Sequence, residues 1–358
     1  MDKLLENLII VKTQTPKVKP DPATLGFGEV FTDHMFVMDY DEGQGWHDPR
    51  IIPYGPISLD PAAAVLHYSQ EMFEGLKTYR SADGGLRLFR PDMNAKRTNV
   101  SNDRICLPLI DEILYVEAIK ALVNVDRDWA PDYPGTSIYI RPYIFAKEAF
   151  LGVRPAKSYC FMIILSPVGP YYKGGLTPTR IYVEDKYVRS GEGLAGNAKL
   201  GGNYALTLKS QVEAQAKGYN QVLWLDGRER RYVEEIGTSN AFFVIDGEVF
   251  TAPLTGTILP GITRDSVIRI LKDRGVIVRE QRFTIDEVYA AAAAGTLDEA
   301  FASGTAAVIS PVGELLWQDR SIIINNSEIG PISQSLYDEI TGIQSGALPD
   351  PYGWTVKL

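Results

Sequence analysis

The sequence predicts a mixed α/β (α+β) fold in two domains, and three observations carry that prediction. The chain of 358 residues exceeds the size at which a single hydrophobic core stops growing. Strand-like and helix-like stretches alternate without the regular spacing of a βαβ array. The apolar run 159–168 stops at Gly169-Pro170-Tyr171-Tyr172-Lys173-Gly174-Gly175, a cluster of backbone breakers that marks a domain boundary.

Each element has its own warrant. Residues 34–40, 86–89 and 137–144 pattern as strands, and 92–102 as a helix. A stronger helix is predicted over 110–129, where Ile110, Ile113, Leu114, Ala118, Ala121, Leu122 and Val125 form one apolar face. Residues 159–168 are nearly all apolar, the signature of a strand buried on both faces. Beyond the breakers come a strand at 179–183, a helix at 203–217, strands at 221–225 and 241–245, and a helix at 264–274. Gly275 ends that last helix, and residues 276–278 begin another strand.

Composition narrows the function. Apolar residues make up 45% and charged residues 23%, as in globular proteins. A net charge of −9 argues against nucleic acid or an anionic membrane as partner. Cys106 and Cys160 are too few for a disulfide framework, and with His34, His47 and His67 they form no zinc-like spacing. Apolar runs near 161–165 and 289–294 are too short to span a bilayer. A cytoplasmic protein is expected.

The chemistry centres on Gly196-Asn197-Ala198-Lys199-Leu200-Gly201-Gly202-Asn203-Tyr204. Small neighbours would let a planar ligand close over Lys199 and desolvate it. Desolvation disfavours the ammonium, so a neutral amine becomes available to form a Schiff base with an aldehyde. Taken alone, a solvated lysine at a glycine-bounded turn fits the same residues. Further along, Pro260-Gly261-Ile262-Thr263-Arg264-Asp265 opens a helix whose N–H groups suit a phosphate, with Thr263 expected at the cap. Phe301-Ala302-Ser303-Gly304-Thr305-Ala306-Ala307 offers N–H groups and hydroxyls to an anion, or else a tight packing turn. In Glu234-Glu235-Ile236-Gly237-Thr238-Ser239-Asn240 a carboxylate could hold a pyridine nitrogen protonated, and Glu234 reads as a surface residue. Arg90, before Pro91, could pair with phosphate or with a surface acid.

Taken together and in order, these segments resemble the class IV aminotransferases that use pyridoxal 5'-phosphate. The segments 27–36, 67–80, 88–94 and 138–148 are similar to the branched-chain amino acid aminotransferases in particular, and the resemblance runs from Phe27 to Val356. It implies fold type IV, with a smaller N-terminal α/β domain (1–172), a linker (173–180) and a larger C-terminal pseudo-barrel domain (181–358), the cofactor lying in the interdomain cleft. It implies that Lys199 carries the internal aldimine and shuttles the proton. Tyr204 would bond the cofactor's phenolic oxygen and Glu235 its pyridine nitrogen, with Thr238 beside the ring. Arg90, Arg189, the N–H groups of Ile262 and Thr263, and the Thr305 hydroxyl would hold the phosphate.

On the substrate side, N–H groups near Thr305 and Ala306 would take the carboxylate, helped by Tyr139 and Arg141. Phe27, Tyr68, Phe73, Tyr171 and Thr238 would line the side-chain pocket, with Tyr68, Leu151 and Val153 reaching across a homodimer interface. A close aromatic box is the expected device, because one methylene yields only about 1–3 kcal/mol of discrimination. The implied reaction is ping-pong transfer of an amino group from leucine, isoleucine or valine to 2-oxoglutarate, giving glutamate. The nearest alternatives are a D-amino acid aminotransferase, an aminodeoxychorismate lyase, or a non-catalytic phosphate-ligand binder. One departure stands out: mammalian members carry Cys-x-x-Cys after the Ser-Gly-Thr-Ala turn, where this chain has Ala307 and Ser310.

Overall fold

The structure, a computed structural model, describes residues 4–81, 83–171 and 176–358. The first half of the chain contains β1 (Ile9–Ile10), β2 (His34–Asp41), β3 (Gly45–Pro53), α1 (Ala64–Tyr68), β4 (Glu71–Phe73), β5 (Leu76–Arg80), β6 (Leu86–Phe89), α2 (Pro91–Arg104), α3 (Glu112–Val125), β7 (Ser137–Ala146) and β8 (Ser158–Val168). The second half contains β9 (Thr179–Glu184), α4 (Gly201–Ala205), α5 (Leu208–Ala216), β10 (Gln221–Leu225), β11 (Val233–Ile236), β12 (Ser239–Ile245) and β13 (Glu248–Thr251). It continues with α6 (Ile262–Asp273), β14 (Val278–Glu280), α7 (Ile285–Ala294), β15 (Leu297–Gly304), β16 (Val308–Trp317), β17 (Arg320–Ile323), α8 (Pro331–Ser345) and β18 (Thr355–Lys357).

Two compact units result. The first comprises Met1–Tyr171, Ala198–Gly201 and Gly342–Leu358; the second comprises Tyr172–Asn197 and Gly202–Thr341. The division therefore differs from a purely sequential one. The lysine segment and the chain's last stretch join the first unit, which holds more of the chain, the reverse of the expected size order. Part of the expected linker, residues 173–175, lies outside the described residues, and Thr179 and Arg180 already belong to β9.

In the first unit the sheet runs β1-β3-β2-β8-β7-β5-β6-β18, with β4 also on β7. Apart from β1 on β3, all these pairs are antiparallel, as the absence of a βαβ pattern predicts. The second unit has the order β11-β10-β9-β16-β15-β12, and β11 also pairs β12, closing six strands into a barrel. The register Phe242↔Phe301 stacks those two rings at 5.0 Å. Their neighbours Ala241, Phe243, Ala300 and Ala302 pack in the opposite layer with Ile285 and Val288 of α7. Burial on both faces explains why β12 reads as an unbroken apolar run.

Several predicted elements need correction. The helix expected over 110–129 begins after Asp111, whose carboxylate caps Ile113 and Leu114, and ends at Val125. Beyond it a 3-10 turn follows at Arg127–Trp129, and the Asp126 carboxylate between them binds His34 through its backbone N–H at 3.0 Å and Nδ1 at 2.6 Å. The helix expected over 203–217 is two, broken where the Thr207 hydroxyl donates to the Tyr204 carbonyl at 2.7 Å. The strand expected at 276–278 starts at Val278, since Val276 still donates back to Leu271 at 2.9 Å to finish α6. Among the described residues, no helix is long and apolar enough to cross a membrane, and no His/Cys/Asp/Glu cluster suits a metal.

Candidate active site

Lys199 does not sit at the tip of a solvated turn. Its carbonyl accepts the Phe73 N–H at 3.1 Å, its N–H donates to Ser101 Oγ at 2.9 Å, and Leu200 forms an antiparallel bridge with Met72. The lysine segment is thus clipped to β4 and α2 of the first unit. A side chain on Gly201 would strike the Glu71 carboxylate, so glycine lets that carboxylate accept the Gly201 N–H. Burial lowers the Lys199 pKa to about 8, with the Arg97 charge adding to the effect and Glu74 opposing it.

Around the amine the first unit gathers Phe27, Phe73, Tyr139, Arg141 and Tyr171. The Lys199 ammonium lies 4.6 Å from the Phe73 ring centroid, and the Arg141 guanidinium 4.7 Å from the same ring. Arg141 Nη2 donates to Tyr139 Oη at 3.2 Å, and Phe27 meets Tyr139 edge-on at 4.9 Å and Tyr171 at 6.4 Å. Buried Arg141 Nε finds no acceptor among the described residues, which leaves a fixed cationic donor for an anion. Arg90 caps α2 in the left-handed region (φ 50°), donates its N–H to the Trp354 carbonyl at 2.7 Å, and lays its guanidinium 5.0 Å from the Trp354 ring. Elsewhere on this unit Tyr68 Oη donates to the Leu151 carbonyl. Leu66, Leu151 and Val153 stand exposed beside it, Val153 at 83%.

The second unit carries the remaining predicted residues. Glu235 is 1% exposed, with Oε2 2.8 Å from Arg189 Nη1. Its Oε1 accepts Asn240 Nδ2 at 3.1 Å and the Leu259 N–H at 3.3 Å. Asn240 Nδ2 also donates to the Leu259 carbonyl at 2.9 Å, and a side chain on Gly261 would strike its Oδ1. Asn240 thereby ties Glu235 to the start of α6. Gly261, not Thr263, is the cap residue and as a glycine supplies no capping side chain; Ile262 and Thr263 form the first turn. The β12–β15 register pairs Asn240 with Ser303, and a side chain on Gly304 would strike the Ser239 hydroxyl. The turns bearing Thr238 and Thr305-Ala306 are therefore neighbours. Tyr204 lies half-buried on α4.

Sequence reasoning missed other groups. Glu74 is fully buried in a two-pronged ion pair with Arg97, Nε to Oε1 at 2.7 Å and Nη2 to Oε2 at 2.9 Å, and accepts Asn94 Nδ2 at 2.8 Å. Burial would raise the Glu74 pKa, but the Arg97 charge and hydrogen bonds bring it below the ordinary value. Glu234, expected at the surface, is 7% exposed, and burial raises its pKa. The reason is that β11 is buried along its whole length, so both of its alternating faces lie inside.

A family model described as amino-transferase class IV matches residues 71–315. Branched-chain-amino-acid aminotransferase 2 of Bacillus subtilis (strain 168) is 58% identical, covering 97% of this chain and 95% of that protein. The crystal structure of the Escherichia coli branched-chain amino acid aminotransferase is similar at a TM-score of 0.75 and 28% identity, covering 89% of this chain and 98% of that one. The branched-chain amino acid aminotransferase from Thermobaculum terrenum, solved in its PLP-bound holo-form, is similar at a TM-score of 0.73 and 25% identity, over 90% and 97%. With a barrel and a desolvated lysine already in place, these likenesses put the chain among the class IV aminotransferases of fold type IV, in the branched-chain-amino-acid aminotransferase family.

Proposed function

We propose that this chain is a pyridoxal 5'-phosphate-dependent transaminase that moves the amino group of L-leucine, L-isoleucine or L-valine to 2-oxoglutarate, in ping-pong order. The observation that carries the reading is Lys199, a half-buried lysine whose pKa burial lowers to about 8, beside an arginine with an unused buried donor. The donor set fits the cofactor: an amine for its aldehyde, a buried carboxylate for a ring nitrogen, arginines and a helix start for a phosphate. When bound, pyridoxal phosphate supplies an aldehyde that receives the amino group and a ring that draws electrons from the substrate Cα.

The residues divide that work. Lys199 Nζ would attach to the cofactor and serve as the base that moves the substrate Cα proton. Glu235, held by Asn240 and Arg189, would face the ring nitrogen, and Tyr204 the phenolic oxygen. Arg90, Arg189, the N–H groups of Ile262 and Thr263, and the Thr305 hydroxyl would hold the phosphate, with Thr238 a further cofactor-binding residue. Arg141, oriented by Tyr139, and the N–H groups at Thr305 and Ala306 take the substrate carboxylate. Phe27, Phe73 and Tyr171 exclude water from an aliphatic side chain, and Arg141 with Tyr139 gives that box the polar edge needed for glutamate.

The exposed apolar group Leu66, Tyr68, Leu151 and Val153 supports a homodimer, in which Tyr68, Leu151 and Val153 complete the partner's pocket. We place the enzyme in the cytoplasm. Purified protein should be yellow, and borohydride should fix the cofactor to Lys199; label on another lysine would overturn the reading. Bleaching by L-leucine and not by D-alanine separates this specificity from that of D-amino acid aminotransferases.

A further inference from the structure

The inner face of α2 is unusual. A helix packed on one side normally buries an apolar stripe, yet α2 buries Asn94, Arg97, Thr98, Ser101 and Asn102, with Pro91 and Ala95 as its only buried apolar residues. Stability does not explain this arrangement, because a buried ion pair replaced by apolar residues of similar shape is often neutral or stabilising.

Three of those polar groups lead toward Lys199, while Asn102 bonds the Pro108 carbonyl and Thr98 faces Tyr115. Ser101, one turn beyond Arg97, accepts the Lys199 N–H. Arg97 and Asn94 fix Glu74, whose neighbour Phe73 donates to the Lys199 carbonyl and faces its ammonium. We infer that the Glu74–Arg97 ion pair is a positioning device for Lys199, presenting one charge of each sign to the amine and so setting its protonation. The inference rests on the reading of Lys199 as the cofactor-binding amine.

The charges facing the lysine within this unit are Arg97 on α2, Glu74 after β4, and Tyr139 and Arg141 on β7. The Arg97 charge lowers the lysine's pKa and the Glu74 charge raises it. Neutralising the two partners should therefore move the lysine in opposite directions, which loss of packing alone would not do.

The test is the pH dependence of Lys199 acetylation by acetic anhydride in the cofactor-free protein, read by peptide mass spectrometry. Glu74→Gln should lower the reaction midpoint by about one pH unit and Arg97→Gln should raise it by a similar amount. Arg97→Lys, which keeps the charge, should stay near the parent protein. If either single variant fails to fold, the other decides by the sign of its shift. The double variant Glu74→Gln/Arg97→Met, which buries no lone charge, should have a midpoint between those of the two single variants. Unmoved midpoints, or shifts of the same sign in the two single variants, would overturn the inference. Borohydride trapping on Lys199 in the parent protein tests the underlying reading separately: if the label is on Lys199 and the midpoints do not move, only the inference fails.

Discussion

Each unit holds one carboxylate tightly, and they differ in the cations beside it. In the first, Arg97 fixes Glu74, while burial drives Lys199 and Lys77 to a pKa of about 8 and Arg141 keeps a buried donor unused. In the second, Glu235 pairs with Arg189 and accepts from Asn240 and a backbone N–H, while burial raises the pKa of its neighbour Glu234. In the proposed roles, Lys199 of the first unit reacts and Glu235 of the second holds.

The largest expected effect tests the reacting side. Lys199→Ala should reduce turnover by on the order of 10⁵-fold while cofactor still binds through its phosphate, as measured by equilibrium dialysis. Equal loss of both would break the distinction. On the holding side, Glu235→Gln should cost about 10²–10³-fold in kcat, because in its proposed role Glu235 is the charged partner of the ring nitrogen. A smaller effect is expected at Tyr139→Phe, which frees Arg141 to tilt: KM for 2-oxoglutarate should rise about tenfold with kcat little changed. A fall in kcat alone would mean that Tyr139 acts in the proton transfer instead.

The gentlest test concerns stability. Lys77 is 7% exposed, and its folded pKa of about 8 lies below the ordinary 10.5. The fold therefore penalises its ammonium. The penalty is complete below pH 8 and disappears as pH climbs through 10.5. Lys77→Met should raise stability at pH 7 by up to about 3 kcal/mol in urea unfolding, with the gain fading at alkaline pH. A gain that does not fade would point to packing as its source.

Strands β6 and β10 are legible residue for residue in the sequence, β6 as an alternating pattern that stops before Pro91 and β10 as a short apolar run. The lysine motif stands out by its small neighbours, but the groups that bury and charge Lys199 (Phe73, Glu74, Arg97 and Arg141) lie far from it in the chain. Helix α7 carries a readable start, Thr284 and Glu287 in a reciprocal cap, although its alanine-rich body shows no amphipathic period. Glu74 could not be read, since its meaning depends on Arg97, which α2 brings back against it. Glu234 misleads for a different reason. Alternation places it opposite Glu235, and only barrel closure shows that the opposite face is also interior.

The return of the chain to its first unit has a consequence for synthesis. Strand β18 pairs with β6, and Trp354 supplies the carbonyl that receives the Arg90 N–H. At translation speeds of about 5–20 residues per second, the ribosome needs roughly 10–40 s after Tyr171 to deliver these pieces. Until then the nascent first unit lacks the partner of Arg90, although its lysine segment follows soon after Tyr171. A polypeptide released early would keep most of one sheet but leave the Arg90 N–H without its Trp354 partner, so with Arg90 in its proposed phosphate-holding role truncated products should bind pyridoxal phosphate poorly.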